Sequence, residues 1–228
     1  MRGLLALAAS VPLCCVSSAS FAADPISQSD FAHRFYVSLS GGLTFANKSH
    51  DVATDTIAPL GPTITSDVIG KNGWRVGGAA GVLVNDILSV EGELAYVKAS
   101  PEKINVTSPA PATVAATGSA SVITAMANAY AGAPLGAFRP YVGAGVGLAY
   151  FTANNIVGAG ATLNGSDTGL ALQGLAGIDF AFTPDTSLGA RYRYLHISQL
   201  SLMDGGYRHD FNTTSQSIEV VLTHRFAN

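Results

Sequence analysis

The stretch Ser217-Ile218-Glu219-Val220-Val221-Leu222-Thr223-His224-Arg225-Phe226 decides how this chain is read. Ile218, Val220, Leu222 and Phe226 share one parity and are apolar. Glu219, Thr223 and Arg225 hold the other parity, which is largely polar. Period two over about ten residues predicts a β-strand with two chemically different faces. Seven similar segments precede it. The pattern predicts strands at 33–46, 72–84, 87–99, 119–132, 137–150, 168–182, 186–197 and 214–226, the fourth alternating least. An even number of such strands predicts an all-β, closed, antiparallel up-and-down barrel of eight strands.

Bulk properties say what surrounds the barrel. Charged residues are 12% of the chain, against about 25% in an ordinary soluble domain. Mean hydropathy is positive, at +0.31. Yet beyond the first residues no apolar run reaches the roughly 18 that a membrane helix needs. A membrane barrel reconciles the two, because each strand spends only half its residues on lipid. Residues 1–22 read as a secretory signal peptide: Arg2, an apolar run from Gly3 to Val16, and the small-x-small end Ser20-Phe21-Ala22. Both cysteines, Cys14 and Cys15, lie within it, so no thiol chemistry is expected in the mature chain. Residues 23–32 form a short periplasmic lead, and 33–228 the barrel. Loss of Arg2 leaves 11 basic against 15 acidic residues, and no basic patch argues for nucleic acid.

The connections alternate in length. Asn85-Asp86, Ala133-Pro134-Leu135-Gly136 and Thr183-Pro184-Asp185 read as tight turns. The others, 47–71, 100–118, 151–167 and 198–213, are long, polar and read as loops. Short periplasmic turns and long outward loops are the outer-membrane arrangement. Aromatics decide that the apolar face meets lipid. Phe45, Trp74, Tyr96, Tyr150 and Tyr194 lie on the apolar parity at the loop ends of their strands. Phe35, Phe138, Phe182 and Phe226 lie on the same parity at the turn ends. Two girdles match two membrane interfaces.

The opposite parity carries Arg34, Arg75, Arg139, Arg191, Arg193 and Arg225 with Glu91, Glu93, Asp179 and Glu219. Eight strands leave an interior that side chains can fill. Buried charges must pair, so an interior ion-pair network is expected rather than an open channel. Gly143, Gly145 and Gly147 are expected to make room for the long arginines of neighbouring strands.

Arg139-Pro140-Tyr141-Val142-Gly143-Ala144-Gly145-Val146-Gly147, Gly177-Ile178-Asp179-Phe180 and Leu188-Gly189-Ala190-Arg191-Tyr192-Arg193-Tyr194-Leu195 resemble the OmpA-like, opacity-type outer membrane β-barrels. The resemblance covers the mature chain and specifies fold rather than activity. It implies a bacterial outer-membrane location, contact with membrane lipid and lipopolysaccharide, and delivery by the outer-membrane assembly machinery. That machinery reads an aromatic residue ending the last strand; here Ala227 and Asn228 follow Phe226. It also implies exposed loops that meet a host or extracellular ligand. The chain ends after strand 8, so no peptidoglycan-binding domain is expected.

One tripeptide invites a chemical reading. In His196-Ile197-Ser198 the His and Ser share the lipid-facing parity near the outer rim. The arrangement resembles the lipid A deacylases of the PagL type, which would make Ser198 the nucleophile, His196 the base and Asp210 the orienting acid. Gln199 departs from the Asn expected there, and Asp210 from Glu. Asp51, Asp55 and Asp67 lack calcium-loop spacing, and neither a metal nor a cofactor is expected. Three readings follow: a non-enzymatic surface barrel, which leads, a lipid A deacylase, and a narrow channel.

Overall fold

The computed structural model describes residues 35–46, 49–55, 64–108, 110–158, 161–204 and 207–226. The expected signal peptide, the periplasmic lead and Arg34 lie outside the described residues. Twelve strands occupy nearly all of these: β1 (Phe35–Ala46), β2 (Ser49–Asp55), β3 (Ile64–Gly70), β4 (Gly73–Leu83), β5 (Leu88–Ala99), β6 (Pro101–Ser108), β7 (Ala112–Ala115), β8 (Thr117–Gly132), β9 (Phe138–Gly158), β10 (Ala161–Ala181), β11 (Thr186–Asp204) and β12 (Tyr207–Arg225).

Eight of them form a ring. β1, β4, β5, β8, β9, β10, β11 and β12 pair antiparallel in that order, and β1 returns to pair β12. The closing register sets Leu39 against Leu222 and Leu43 against Ile218. Closure leaves no free backbone edge, which a strand in hydrocarbon requires. The expected eight-stranded barrel is therefore present.

The three tight turns are held by local chemistry. Asn85 Oδ1 accepts from the amides of Ile87 (2.9 Å) and Leu88 (2.7 Å). Thr183 Oγ1 accepts from Thr186 N at 2.9 Å. Gly136 has φ +64°, a left-handed conformation that glycine adopts without penalty. The start of β1 and the end of β12 meet beside these turns, where Phe226 N donates to Phe35 O at 3.0 Å.

The long connections depart from expectation. Their described residues form a second tier of sheet. β9 and β10 continue upward to Gly158 and Ala161, and β11 and β12 to Asp204 and Tyr207. Upper β12 pairs β2, and pairing passes on through β3 and β6 to β7. The alternation continues through this tier, but its polarity reverses. On β9, Val142, Val146, Leu148 and Tyr150 point outward below. Above them Phe151 and Ala153 are buried inside, and Asn154 is exposed. A bulge between Ile197 and Leu200, with Gln199 at φ +63°, shifts the inward parity of β11 from odd to even numbers. Reversed polarity and a parity slip make these segments read as loops in sequence.

Two interiors follow. The upper tier encloses an apolar cluster of Met126, Ala149, Phe151, Ala153, Ala171, Leu195, Ile197, Leu200 and Leu202, with Phe211 packed on it. Below it lies a layer of charge. The upper tier is thus built like a water-soluble barrel, and the lower ring like a membrane one.

Candidate functional site

The charge layer occupies the lower lumen. Four strands converge on it because Arg75 (β4), Glu93 (β5), Arg193 (β11) and Glu219 (β12) all sit on inward parities. Arg193 Nε donates to Glu219 Oε1 at 2.7 Å, and its terminal nitrogens reach Glu93 Oε2 at 2.9 Å and the Gln173 side chain. Arg75 pairs with Glu93, and its Nε lies 3.2 Å from Glu219 Oε1 as an ion pair without hydrogen-bond geometry. Each of these four side chains is 2% exposed or less. Arg191 adds a longer pair to Glu93, at 3.8 Å. Three arginines and three glutamates, counting Glu91, therefore balance within the layer. Burial at this depth is tolerable only for paired charge.

Neutral polar side chains complete it. Glu91 accepts from Tyr130 Oη (2.7 Å), Tyr36 Oη (3.1 Å) and Asn128 Nδ2 (3.1 Å). Gln173 Nε2 donates to Asn128 Oδ1 at 2.6 Å. The Arg191 guanidinium lies 5.3 Å from the Tyr130 ring centroid and 5.7 Å from that of Tyr141, within cation–π range. Sequence reading passed over Tyr36, Asn128, Tyr130 and Tyr141 as members of this layer. On β8 the outward residues Ala125, Ala127, Ala129 and Ala131 alternate with Met126, Asn128 and Tyr130. The strand alternates in size rather than polarity, which is the signal that would have revealed it.

Gly143, Gly145 and Gly147 do make room, but not for arginines. A Cβ at Gly143 would meet the Tyr130 ring, at Gly145 the Asn128 side chain, and at Gly147 Met126 and the Ala125 carbonyl. The space serves the neighbouring strand β8. Below the charge layer, a cavity of about 40 Å³ opens toward the turns, lined by Arg139, Asp179, Arg191, Arg225, Glu91 and Tyr141 among others. Arg139 and Asp179 face each other in register there.

The outward aromatics fall in two bands. Trp74, Tyr150 and Tyr194 are exposed at the hairpin end, with Phe45 and Tyr96 half-buried. Trp74 and Tyr96 are in contact, their ring centroids 5.4 Å apart. Phe35, Phe138, Phe182 and Phe226 are each about half exposed at the turn end.

The structure does not assemble the candidate triad. His196 and Ser198 lie on the outward face, half-buried, and neither side chain has a hydrogen-bond partner among the described residues. His196 is opposite Thr214, whereas Asp210 lies beyond the bulge, opposite Ser201. Asp210 accepts from the Ser201 hydroxyl and from Arg208 Nε at 2.9 Å. The Ser201 hydrogen bond, helped by Arg208, holds its carboxyl below the usual range. An acid so engaged is not orienting His196. Among the described residues, no group of His, Cys, Asp and Glu is placed to hold a metal ion.

Solved outer membrane proteins are among the similar structures. OmpT, an outer membrane protease from Escherichia coli, aligns with a TM-score of 0.52 at 6% identity, over 86% of this chain and 97% of its own. Neisserial surface protein A aligns at 0.49 with 19% identity, over 84% and 97%. OprG from Pseudomonas aeruginosa aligns at 0.49 with 15% identity, over 86% and 97%. At such identities the likeness concerns fold alone. No curated protein matches the sequence. The outer membrane protein beta-barrel domain family matches residues 6–226. With a closed ring of eight strands, apolar outside and charged within, this chain belongs to that family and to the outer membrane.

Proposed function

We propose that this protein is a non-enzymatic surface barrel with a closed lumen. It strengthens the envelope and presents its upper tier to the outside. Its ligands there are host or extracellular molecules, and its lipid neighbours include lipopolysaccharide. The assembly machinery would take it up through its last strand and the Phe226 that follows it. One observation carries the reading: the lumen is filled twice over, by the Arg75–Glu93–Arg193–Glu219 layer and by the apolar cluster around Phe151, Ile197 and Leu200. A permeant ion would have to break buried ion pairs and then cross a dry segment, both costly.

The test joins two measurements, one on purified protein and one in cells. In planar bilayers, no conductance step above the lipid background is expected. In cells with intact lipid A, mass spectrometry should show the same lipid A species with wild type and with Ser198→Ala. A reproducible channel would overturn the closed lumen. A deacylated product lost in Ser198→Ala would overturn the absence of catalysis.

A further inference from the structure

The lysines of this chain are unevenly placed. There are four, Lys48, Lys71, Lys98 and Lys103. The three that are described fall in one sector of the rim, where β3 gives way to β4 and β5 to β6. Lys98 is opposite Trp74 in the β4–β5 ladder. Lys71 N donates to Ser100 O at 2.7 Å, which sets Lys71 beside the chain just past Lys98. Lys103 is opposite Ile69, two residues before Lys71. All three are exposed, and Lys98 shares the outward parity of Leu94 and Tyr96. At roughly 3.3 Å per residue, the row from Lys98 to Lys103 spans about 16 Å.

The charge of this sector is largely unspent. Among the described residues, Lys71 and Lys98 have no ion pair. Lys103 has only Glu102, at 3.8 Å with both side chains about half exposed, a pair that water weakens. Asp67 on β3 is already engaged within the protein. Elsewhere on the upper tier, β10 and β12 carry Asp167 and Asp210, with Arg208 paired to Asp210. Beside Lys98, and below Lys71 and Lys103, the contacting rings of Trp74 and Tyr96 mark the membrane interface. Flexible ammonium groups standing just above such a pair reach the headgroup layer and keep their stems on apolar surface.

The geometry points to a binding site for a phosphorylated glycolipid of the outer leaflet, lipopolysaccharide, clamped by Lys71, Lys98 and Lys103 through its headgroup phosphates. Its sugars lie over Trp74 and Tyr96, and its acyl chains lie along the apolar outer face of β4 and β5. This rests on the proposed orientation, with the upper tier outward.

The test uses the full mature barrel refolded in detergent, titrated with lipopolysaccharide in a tryptophan fluorescence assay. Trp74 is the sole tryptophan and stands at the site. Wild type should bind saturably and shift the Trp74 emission. The triple variant Lys71→Gln/Lys98→Gln/Lys103→Gln should bind at least about tenfold more weakly, since each basic residue near an anionic surface contributes substantially. The triple Lys→Arg variant should keep binding. Enzymatically dephosphorylated lipopolysaccharide should bind wild type as weakly as the Gln variant binds the intact lipid. Inorganic phosphate at the same phosphate concentration should neither shift Trp74 nor compete. Equal affinity of wild type and the Gln variant, or of intact and dephosphorylated lipid, would overturn the site, as would competition by inorganic phosphate. Heat-modifiable gel mobility of each variant establishes that it is folded. Thiol labelling of Asn164→Cys on intact cells tests the orientation separately. Labelled cells with no loss in the Gln variant would refute the lysine clamp and leave the surface reading standing.

Discussion

Arg193 on β11 and Glu219 on β12 form a two-point ion pair inside the barrel, Nε to Oε1 at 2.7 Å and a terminal nitrogen to Oε2 at 3.1 Å. Each is 1% exposed or less. The partners sit on paired strands, but the charge they share extends to Arg75 on β4 and Glu93 on β5. Removing one member leaves its partners buried and unmatched. Glu219→Ala should therefore destabilise the barrel by about 3–5 kcal/mol. Arg193→Met paired with Glu219→Leu should cost less than the sum of the single changes, because it removes both charges. Urea unfolding in lipid bilayers, followed by the loss of heat-modifiable mobility, measures both. Strict additivity would show that the two side chains are not coupled.

The outer face is set by the opposite requirement. Val220 and Leu222 are exposed on the lipid-facing parity of β12. Replacing Leu222 with Arg should cost on the order of 2–4 kcal/mol near the bilayer midplane. Arg at Asn154, exposed on the upper tier, should be within about 0.5 kcal/mol of wild type. Equal tolerance at both sites would mean that the lipid face is misassigned.

The glycines of the ring fall into two kinds. Gly143 and Gly147 face inward, where an added methyl meets the Tyr130 ring and the backbone of Ala125 and Met126. Gly92 and Gly174 have nothing within 4 Å of an added Cβ. Gly143→Ala and Gly147→Ala should lose about 1–3 kcal/mol through overpacking. Gly92→Ala and Gly174→Ala should be neutral or slightly stabilising. The same unfolding assay separates the two pairs.

How much of this was legible follows from where polarity alternates. On β5, inward Glu91 and Glu93 alternate with outward Val90 and Leu94, so strand, face and charge layer could all be read from residue type. On β8 only side-chain size alternates, and Asn128 and Tyr130 went unassigned. From residue 151 upward, Phe151 and Ala153 point inward just where the strand below points its apolar residues outward. A reading that assumes one apolar face per strand sees such a segment as a loop. The bulge at Ser198 and Gln199 adds a parity slip that no composition shows. The His196, Ser198 and Asp210 arrangement failed for the same reason, because the ladder register carries Asp210 past the bulge to Ser201.

The apolar cluster of the upper tier has its own prediction. Leu200 is 1% exposed and Phe151 8%. Leu200→Ala should cost about 2–5 kcal/mol in that tier, and the loss should be local. Limited proteolysis at the tips of the β9–β10 and β11–β12 hairpins should accelerate, while the membrane ring keeps its heat-modifiable mobility. Unchanged cleavage would show that the cluster does not hold the tier together.

The reversal of polarity at Tyr150 and Phe151 also fixes a height. If the barrel rose along the membrane normal, Leu148 and Tyr150 would enter water. If it sank, Thr152 and Asn154 would enter hydrocarbon. Both displacements are uphill, and neither can be relieved by tilting, since the same reversal recurs on β9, β10, β11 and β12 around half the circumference. The protein therefore rides in the bilayer at a single draught, with its waterline drawn by its own side chains rather than by any tether.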